Sequence, residues 1–129
     1  MQPYLVAEER SASLTTISKH SEKQFSQPIS PATAQKMQDL MVSVVENGTG
    51  KNAKIPGVTV GGKTGTAQHG EGNAGLPFAW FTSYAKAADG RTVAVAVVVE
   101  DGSNNRDGIS GGRLAAPIAK SVMQAVLGK

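Results

Sequence analysis

The longest apolar stretch of the chain, Val93-Ala94-Val95-Ala96-Val97-Val98-Val99, is never interrupted by a polar residue. A strand with one wet face alternates apolar and polar positions, so this run predicts a strand covered on both faces. Two other strands are expected ahead of the Thr92–Val99 one: Val58-Thr59-Val60 through Thr66, and Phe78 to Tyr84. The glycine-rich stretch from Gly70 to Pro77 joins these two, and Ala88-Asp89-Gly90-Arg91 reads as a tight turn into the third. Connections this short favour an antiparallel meander.

Helical periodicity appears twice. Ala34, Met37, Leu40, Met41, Val44 and Val45 fall on one face of a helix running from Ser30 to Gly48. Ser30 is a good N-cap, Pro31 suits the first helical position, and Gly48 is placed to take a left-handed cap. A terminal helix is expected over Arg113 to Leu127, with Leu114, Ile118, Val122 and Val126 at four-residue steps and Gly128 closing it. Pro117 is tolerable there only in the first turn. At the N-terminal end, Tyr4-Leu5-Val6 and Leu14-Thr15-Thr16-Ile17 form two short β-prone pieces, expected as a loose hairpin or extended arm over Pro3 to Ile17. The fold class is therefore α/β in the α+β sense, an antiparallel sheet covered by helices. A sheet buried on both faces needs a layer on each side. One internal and one terminal helix must serve both, so the chain reads as a fragment or an obligate partner.

Composition narrows the function classes. With 40% hydrophobic and 18% charged residues, the 129-residue chain is ordinary globular material for one domain or part of one. Its 5% aromatic content favours a core of small aliphatic side chains. The formal charge of +3 is spread out, with Lys51, Lys54 and Lys63 its nearest approach to a patch, so no nucleic-acid partner is expected. No apolar run approaches the roughly 20 residues of a spanning helix, and no signal sequence opens the chain. Membrane attachment, if any, is expected through an N-terminal anchor outside these residues. The absence of cysteine excludes disulfides and thiol chemistry. Two isolated histidines complete no metal-ligand set, so no metal and no cofactor are expected.

Gly57 to Thr64 reads GVTVGGKT, a formal match to the phosphate-binding pattern G-x-x-x-x-G-K-[ST]. That motif needs a helix beginning at its lysine, whereas Gly65, Gly70, Gly72 and Gly75 follow, so a nucleotide-binding protein is a distant alternative. Glu100-Asp101, at the end of the apolar strand, would be its only candidate for a magnesium-holding pair. Read as a strand instead, Lys63-Thr64-Gly65-Thr66-Ala67-Gln68 puts the Thr64 and Thr66 hydroxyls on one face, with the Lys63 cation nearby. Gly65 leaves backbone accessible, and an edge strand offers free N–H groups to an extended peptide. Two hydroxyls, a cation and open amides suit a peptide ending in a carboxylate.

The segment Lys63 to Gln68 resembles the K-T-G strand of penicillin-binding proteins and serine β-lactamases. The likeness continues through Ala79–Ala85, Thr92–Glu100 and Gly112-Arg113-Leu114-Ala115-Ala116-Pro117-Ile118-Ala119. Pro3–Val6 and the Ser30–Gly48 helix resemble the segments that precede that strand. Nearly the whole chain is covered, and it looks most similar to the C-terminal part of the transpeptidase domain of an actinobacterial class B penicillin-binding protein of the A type. The resemblance implies a serine from S-x-x-K that attacks the penultimate D-Ala carbonyl of a peptidoglycan stem peptide. The acyl group then passes to an amine of a neighbouring strand, cross-linking the cell wall during division and shape maintenance. By the match, Lys63 holds the polar network around the nucleophile and an S-x-N motif. Thr64 and Thr66 bind the terminal carboxylate of D-Ala-D-Ala or of a β-lactam. The Thr66 backbone N–H is half of the oxyanion hole. Gly65 permits close approach, and Gln68 closes the substrate-binding segment. The partners implied are stem peptide, β-lactams and the remainder of the transpeptidase domain, at the extracytoplasmic face of the bacterial membrane.

The family's order is S-x-x-K, then S-x-N, then K-T-G, and nothing before Lys63 fits the first two. Ser83-Tyr84-Ala85-Lys86 and Ser103-Asn104-Asn105 match by letter only, the first on an expected strand where a nucleophile needs a helix start. The isolated chain is therefore expected to lack its nucleophile, to be inactive alone, and to expose an apolar face prone to dimerisation. A non-catalytic peptidoglycan-binding or regulatory module is the alternative function. Plainer roles are expected elsewhere: Lys63 alone could be a solvated strand lysine. His69 reads as an exposed loop histidine, or as one at the site mouth. His20 reads as surface, and Trp80 and Phe81 as sheet surface and core. Met37, Met41 and Met123 read as core fillers, and Glu100, Asp101 and Asp107 as solvated loop charges.

Overall fold

The computed structural model describes residues 3–21, 23–100 and 102–129. Two compact units divide the chain, Met1–Ala34 and Gln35–Lys129. In the first, β1 (Glu8–Arg10) pairs antiparallel with β2 (Thr16–Lys19), Glu8 opposite Lys19. A hairpin is present as expected, but shifted along the chain. Tyr4-Leu5-Val6 lies outside any strand, and Leu14 sits in the turn with φ 64°. Polar pairing outweighs β-propensity here. The Ser18 hydroxyl donates to the Glu9 carboxylate at 2.9 Å, and Ser11 Oγ accepts from the Thr15 N–H at 3.2 Å, closing the turn. His20 is partly covered rather than a plain surface residue, its ring stacked on Tyr4 at 3.9 Å.

Helix α1 (Pro31–Glu46) starts where its cap residues place it. Ser30 Oγ accepts from the Thr33 N–H at 3.1 Å, satisfying one of the free donors of the first turn. Its end differs from expectation. Gly48 is not left-handed; its N–H donates to the Val44 carbonyl at 3.1 Å, and a Cβ there would lie 2.9 Å from that oxygen. Close approach, not backbone handedness, makes glycine fit. Of the expected apolar face only Val45 is fully buried, while Met37 and Leu40 stand exposed, so Met37 is not a core filler.

Strands β3 (Val58–Ala67), β4 (Phe78–Ala87) and β5 (Thr92–Val99) form the expected antiparallel meander with β4 central. Its register sets Thr64 opposite Phe81 and Phe81 opposite Val97. One face of the sheet carries Val60, Phe81, Ala85 and the half-buried Val93, Val95, Val97 and Val99, packed with Val45, Ile55, Met123 and Leu127. The other face, with Trp80, Ala94, Ala96 and Val98, is exposed. The two-sided cover expected of β5 is thus absent among the described residues. Helix α1 reaches this face near Tyr84, whose phenol donates to the Gln38 carbonyl at 3.4 Å, and Met41 lines a shallow pocket together with Ala94 and Ala96. Burial, then the Asp39 carboxylate, push the Tyr84 phenol above its ordinary pKa.

A single wide π turn, Gly111–Ala115, leads into α2 (Ala116–Leu127), so the regular helix begins later than Arg113. Pro117 lies in the first turn, as it must. Gly128, with φ 65°, ends the helix: its N–H faces the Ala125 carbonyl and the Lys129 N–H bonds the Gln124 carbonyl at 2.9 Å, a Schellman pairing. The buried stripe is Ala116, Ala119, Met123 and Leu127, while Ile118, Val122 and Val126 are exposed, reversing the expected four-step face. Alanines let the helix axis approach the sheet closely.

In the turn after β4, Asp89 accepts from the Arg91 backbone N–H at 3.0 Å and from its Nε at 2.9 Å. The Arg91 side chain, then its backbone N–H, hold the Asp89 carboxyl below its ordinary pKa of 3.8. A depressed folded value gives stability present above the unfolded pKa and lost as pH falls through the folded one. An NMR titration of the Asp89 carboxyl carbon is expected to give a midpoint below 3.8; a midpoint at or above it would contradict the turn.

Candidate functional site

Strand β3 has β4 on one side and no strand partner on the other among the described residues, so the segment Lys63 to Ala67 lies on a sheet edge. This disposes of the phosphate-loop alternative. The GVTVGGKT segment is strand throughout its hydrogen-bonded part, and no helix starts at Lys63. Alternation places Thr64 and Thr66 on the covered face, opposite Phe81 and Ala79, and Lys63 on the bare face, opposite Thr82. The Lys63 ammonium donates to the Thr64 carbonyl, folding back along its own strand.

Around the two threonines a groove of about 440 Å³ is lined by Thr49, Lys51, Asn52, Thr64, Thr66, Ser110 and Arg113, with Gly111 and Gly112 in its wall. The Thr49 and Thr64 hydroxyls share a hydrogen bond of 2.8 Å, and Asn52 Nδ2 donates to the Gly112 carbonyl at 2.8 Å. The segment after α1 and the π turn before α2 are thereby tied together behind β3. Among the described residues, no carboxylate lines this groove. Among the described residues, Lys51, Lys63, Arg106 and Arg113 enter no ion pair. Hydroxyl donors beside uncompensated cations suit an anionic ligand. A larger groove of about 700 Å³ lies near the other end of β3, between α1 and Val58, Thr59 and Lys86. Its acids Asp39 and Glu46 are balanced by Lys54 and Lys86, Lys54 being paired with Glu46. It holds none of the K-T-G residues, so the smaller groove is the candidate site.

The other sequence candidates are accounted for locally. Ser83 is buried, its hydroxyl donating to the Val95 carbonyl at 3.2 Å, and Lys86 three residues on lies on the opposite face. Ser103 Oγ accepts from the Asn105 N–H and Asn105 Oδ1 from the Asp107 N–H, so the S-x-N letters there make a turn. His69 is the exposed loop histidine that was expected, and it also packs its ring on Phe78 at 4.3 Å and bonds the Leu76 carbonyl through Nε2 at 2.6 Å, clasping the glycine-rich loop. Phe81 is core and Trp80 sheet surface. Glu100 and Asp107 are exposed, and Asp101 lies outside the described residues. No cluster of potential metal ligands occurs, and no helix is long and apolar enough to cross a membrane, among the described residues. Sequence reasoning missed Thr49, Lys51, Asn52, Ser110, Arg113 and Arg106 as neighbours of the strand. Arg106 bonds Gln68, the last residue of the K-T-G segment, from the loop after β5.

An edge strand in a three-stranded meander, backed by a terminal helix and flanked by hydroxyls and cations, has the chemistry to hold an extended peptide that ends in a carboxylate. The chain belongs to the penicillin-binding protein transpeptidase domain family, whose pattern it matches over residues 1–124. It is 42% identical over 98% of its length to Peptidoglycan D,D-transpeptidase PbpA of Mycolicibacterium smegmatis, and 41% identical to the protein of that name from Mycobacterium tuberculosis. The crystal structure of PBPA from Mycobacterium tuberculosis superposes with a TM-score of 0.81 at 40% identity, covering 97% of this chain and 29% of that one. The chain spans about a quarter of the length of these curated relatives, 26% of each. It is a partial transpeptidase domain of the PbpA, class B, type.

Proposed function

We propose that residues 1–129 are the C-terminal portion of one transpeptidase domain, carrying the strand that binds substrate, while the serine nucleophile comes from sequence outside this chain. The observation that supports this most directly is the groove in which Thr64 and Thr66 meet Thr49 and Ser110, with no carboxylate in its lining among the described residues. There the two threonine hydroxyls receive the terminal carboxylate of a D-Ala-D-Ala stem peptide or of a β-lactam. The Thr66 N–H stands where negative charge develops on the attacked carbonyl. Lys63, on the opposite face of β3, reaches the polar network around the nucleophile. Gly65 keeps the strand open to close approach. The parent enzyme is a serine D,D-transpeptidase that cross-links peptidoglycan outside the membrane, held by an anchor outside these residues. The bare face around Trp80 and Val98 receives the rest of the domain, and in isolation it favours dimerisation of the fragment.

Intact mass spectrometry after incubation with penicillin tests this. The 129-residue chain is expected to stay unmodified, because no S-x-x-K precedes Lys63 and Ser83 is buried on a strand. The complete product of the reading frame is expected to gain one drug molecule. A stoichiometric adduct on the isolated chain overturns the proposal. Saturable D-Ala-D-Ala binding by a complete product that takes no drug would instead identify a non-catalytic peptidoglycan-binding module.

A further inference from the structure

Arg106 lies in a 3-10 turn, Arg106–Gly108, between β5 and α2. Its guanidinium donates through Nη1 to Gln68 Oε1 at 2.6 Å, and through Nη2 to the carbonyls of Asn73 at 2.7 Å and Gly75 at 2.8 Å. The two carbonyl bonds clasp the glycine-rich loop, which His69 already pins from within through Leu76. A clasp needs no more than those carbonyls. The third bond, to the side chain that immediately follows β3, has a separate consequence. A carboxamide has an acceptor end and a donor end, and guanidinium can bond only the acceptor. With Oε1 taken by a cation, turning the amide over would break a charge-assisted bond and set N–H against N–H. The Nε2 end of Gln68 has no partner among the described residues, and the side chain is exposed.

We infer that Arg106 is an orienting residue for Gln68: it fixes the carboxamide so that only N–H donors face the ligand, where they take an acceptor oxygen of the anionic peptide terminus or of the β-lactam that imitates it. This rests on the proposed reading of β3 as the substrate strand. It adds that the loop after β5 sets the polarity of the strand's far end. A planar fork reaching three acceptors on two segments is a task for arginine, which lysine's compact charge does not reproduce.

The test uses the complete protein, penicillin as probe, and three variants. Acylation kinetics are resolved into apparent affinity and maximal rate, and hydrogen exchange is followed over residues 68–76. Gln68→Glu keeps the acceptor that Arg106 needs and replaces both donors by a second carboxylate oxygen. It is expected to leave exchange unchanged and to weaken apparent affinity about tenfold, the scale of a lost hydrogen bond to a charged group, with maximal rate nearly unaltered. Arg106→Met is expected to raise exchange and to weaken affinity by about threefold or more, since the amide is then free to turn. Unchanged affinity in Gln68→Glu overturns the inference. Faster exchange in Arg106→Met with wild-type affinity also overturns it, leaving a loop clasp only. Thr64→Val separates the two levels of argument. If it binds penicillin like wild type, the substrate-strand reading itself fails; if it weakens binding while Gln68→Glu does not, only the role of Arg106 fails.

Discussion

Replacing Gly111 with alanine is expected to destabilise the fold by about 3 kcal/mol or more, at the upper end of overpacking penalties. The added Cβ would lie 1.9 Å from the Trp80 carbonyl oxygen and 3.0 Å from both the N and O of Gly65. Those atoms are backbone of β4 and β3 at directly paired positions, so no rotamer change relieves the clash. Either the π turn must lift off the sheet or the two strands must separate at Gly65, in the middle of the K-T-G segment. Gly112 is held almost as tightly, its Cβ position 2.1 Å from the Thr49 carbonyl. Stability and function are therefore coupled at this point, and Gly111→Ala is expected to lose penicillin labelling in the complete protein as well. Urea unfolding checks the stability claim. The control is Gly57→Ala, where a Cβ meets open space and only φ +73° is strained, a penalty of about 1–2 kcal/mol. Equal losses in the two variants would contradict close approach as the reason for glycine at 111.

The strand bearing Lys63 to Ala67 was legible because its residues are covalent neighbours and a strand's period of two sorts them onto faces without further information. The rest of the site was not legible for the converse reason. Thr49 reaches Thr64, and Asn52 and Ser110 reach its groove, by tertiary path, and their one sequence signal is the Gly111-Gly112 pair, small where backbones must meet. Arg106 gave no signal, since its partners are backbone carbonyls and a single side chain. On β5 the absence of polar residues suggested two covered faces, yet size carried the information that polarity did not. Val93, Val95, Val97 and Val99 face the core, while Ala94 and Ala96 share the bare face with Val98. The terminal helix shows a different error. Steps of four overshoot a 3.6-residue turn by about 40° each, so Leu114, Ile118, Val122 and Val126 wind off any one face. Ala116, Ala119, Met123 and Leu127, at steps of three, four and four, stay on one, and they are the buried set.

Phe81→Ala is expected to cost about 3–5 kcal/mol, as large-to-small changes of a buried aromatic do. Phe81 is fully buried, its ring lying under Gly62, where a Cβ would come within 2.3 Å of it. The glycine and the phenylalanine are a matched pair: the ring occupies the space that any side chain at 62 would take, and it supports Thr64 directly across the register. Trp80, the preceding residue, points to the bare face and is 39% exposed. In the isolated chain Trp80→Ala should therefore cost less than Phe81→Ala, about 1–2 kcal/mol, since part of the ring is already in water. In the complete protein the same substitution should be several times more costly, because the proposed remainder of the domain covers that face. Thermal or urea unfolding of both variants in both contexts reads the comparison. A Trp80→Ala penalty equal in the two contexts would mean that the remainder of the domain packs elsewhere and leaves this face of the sheet bare.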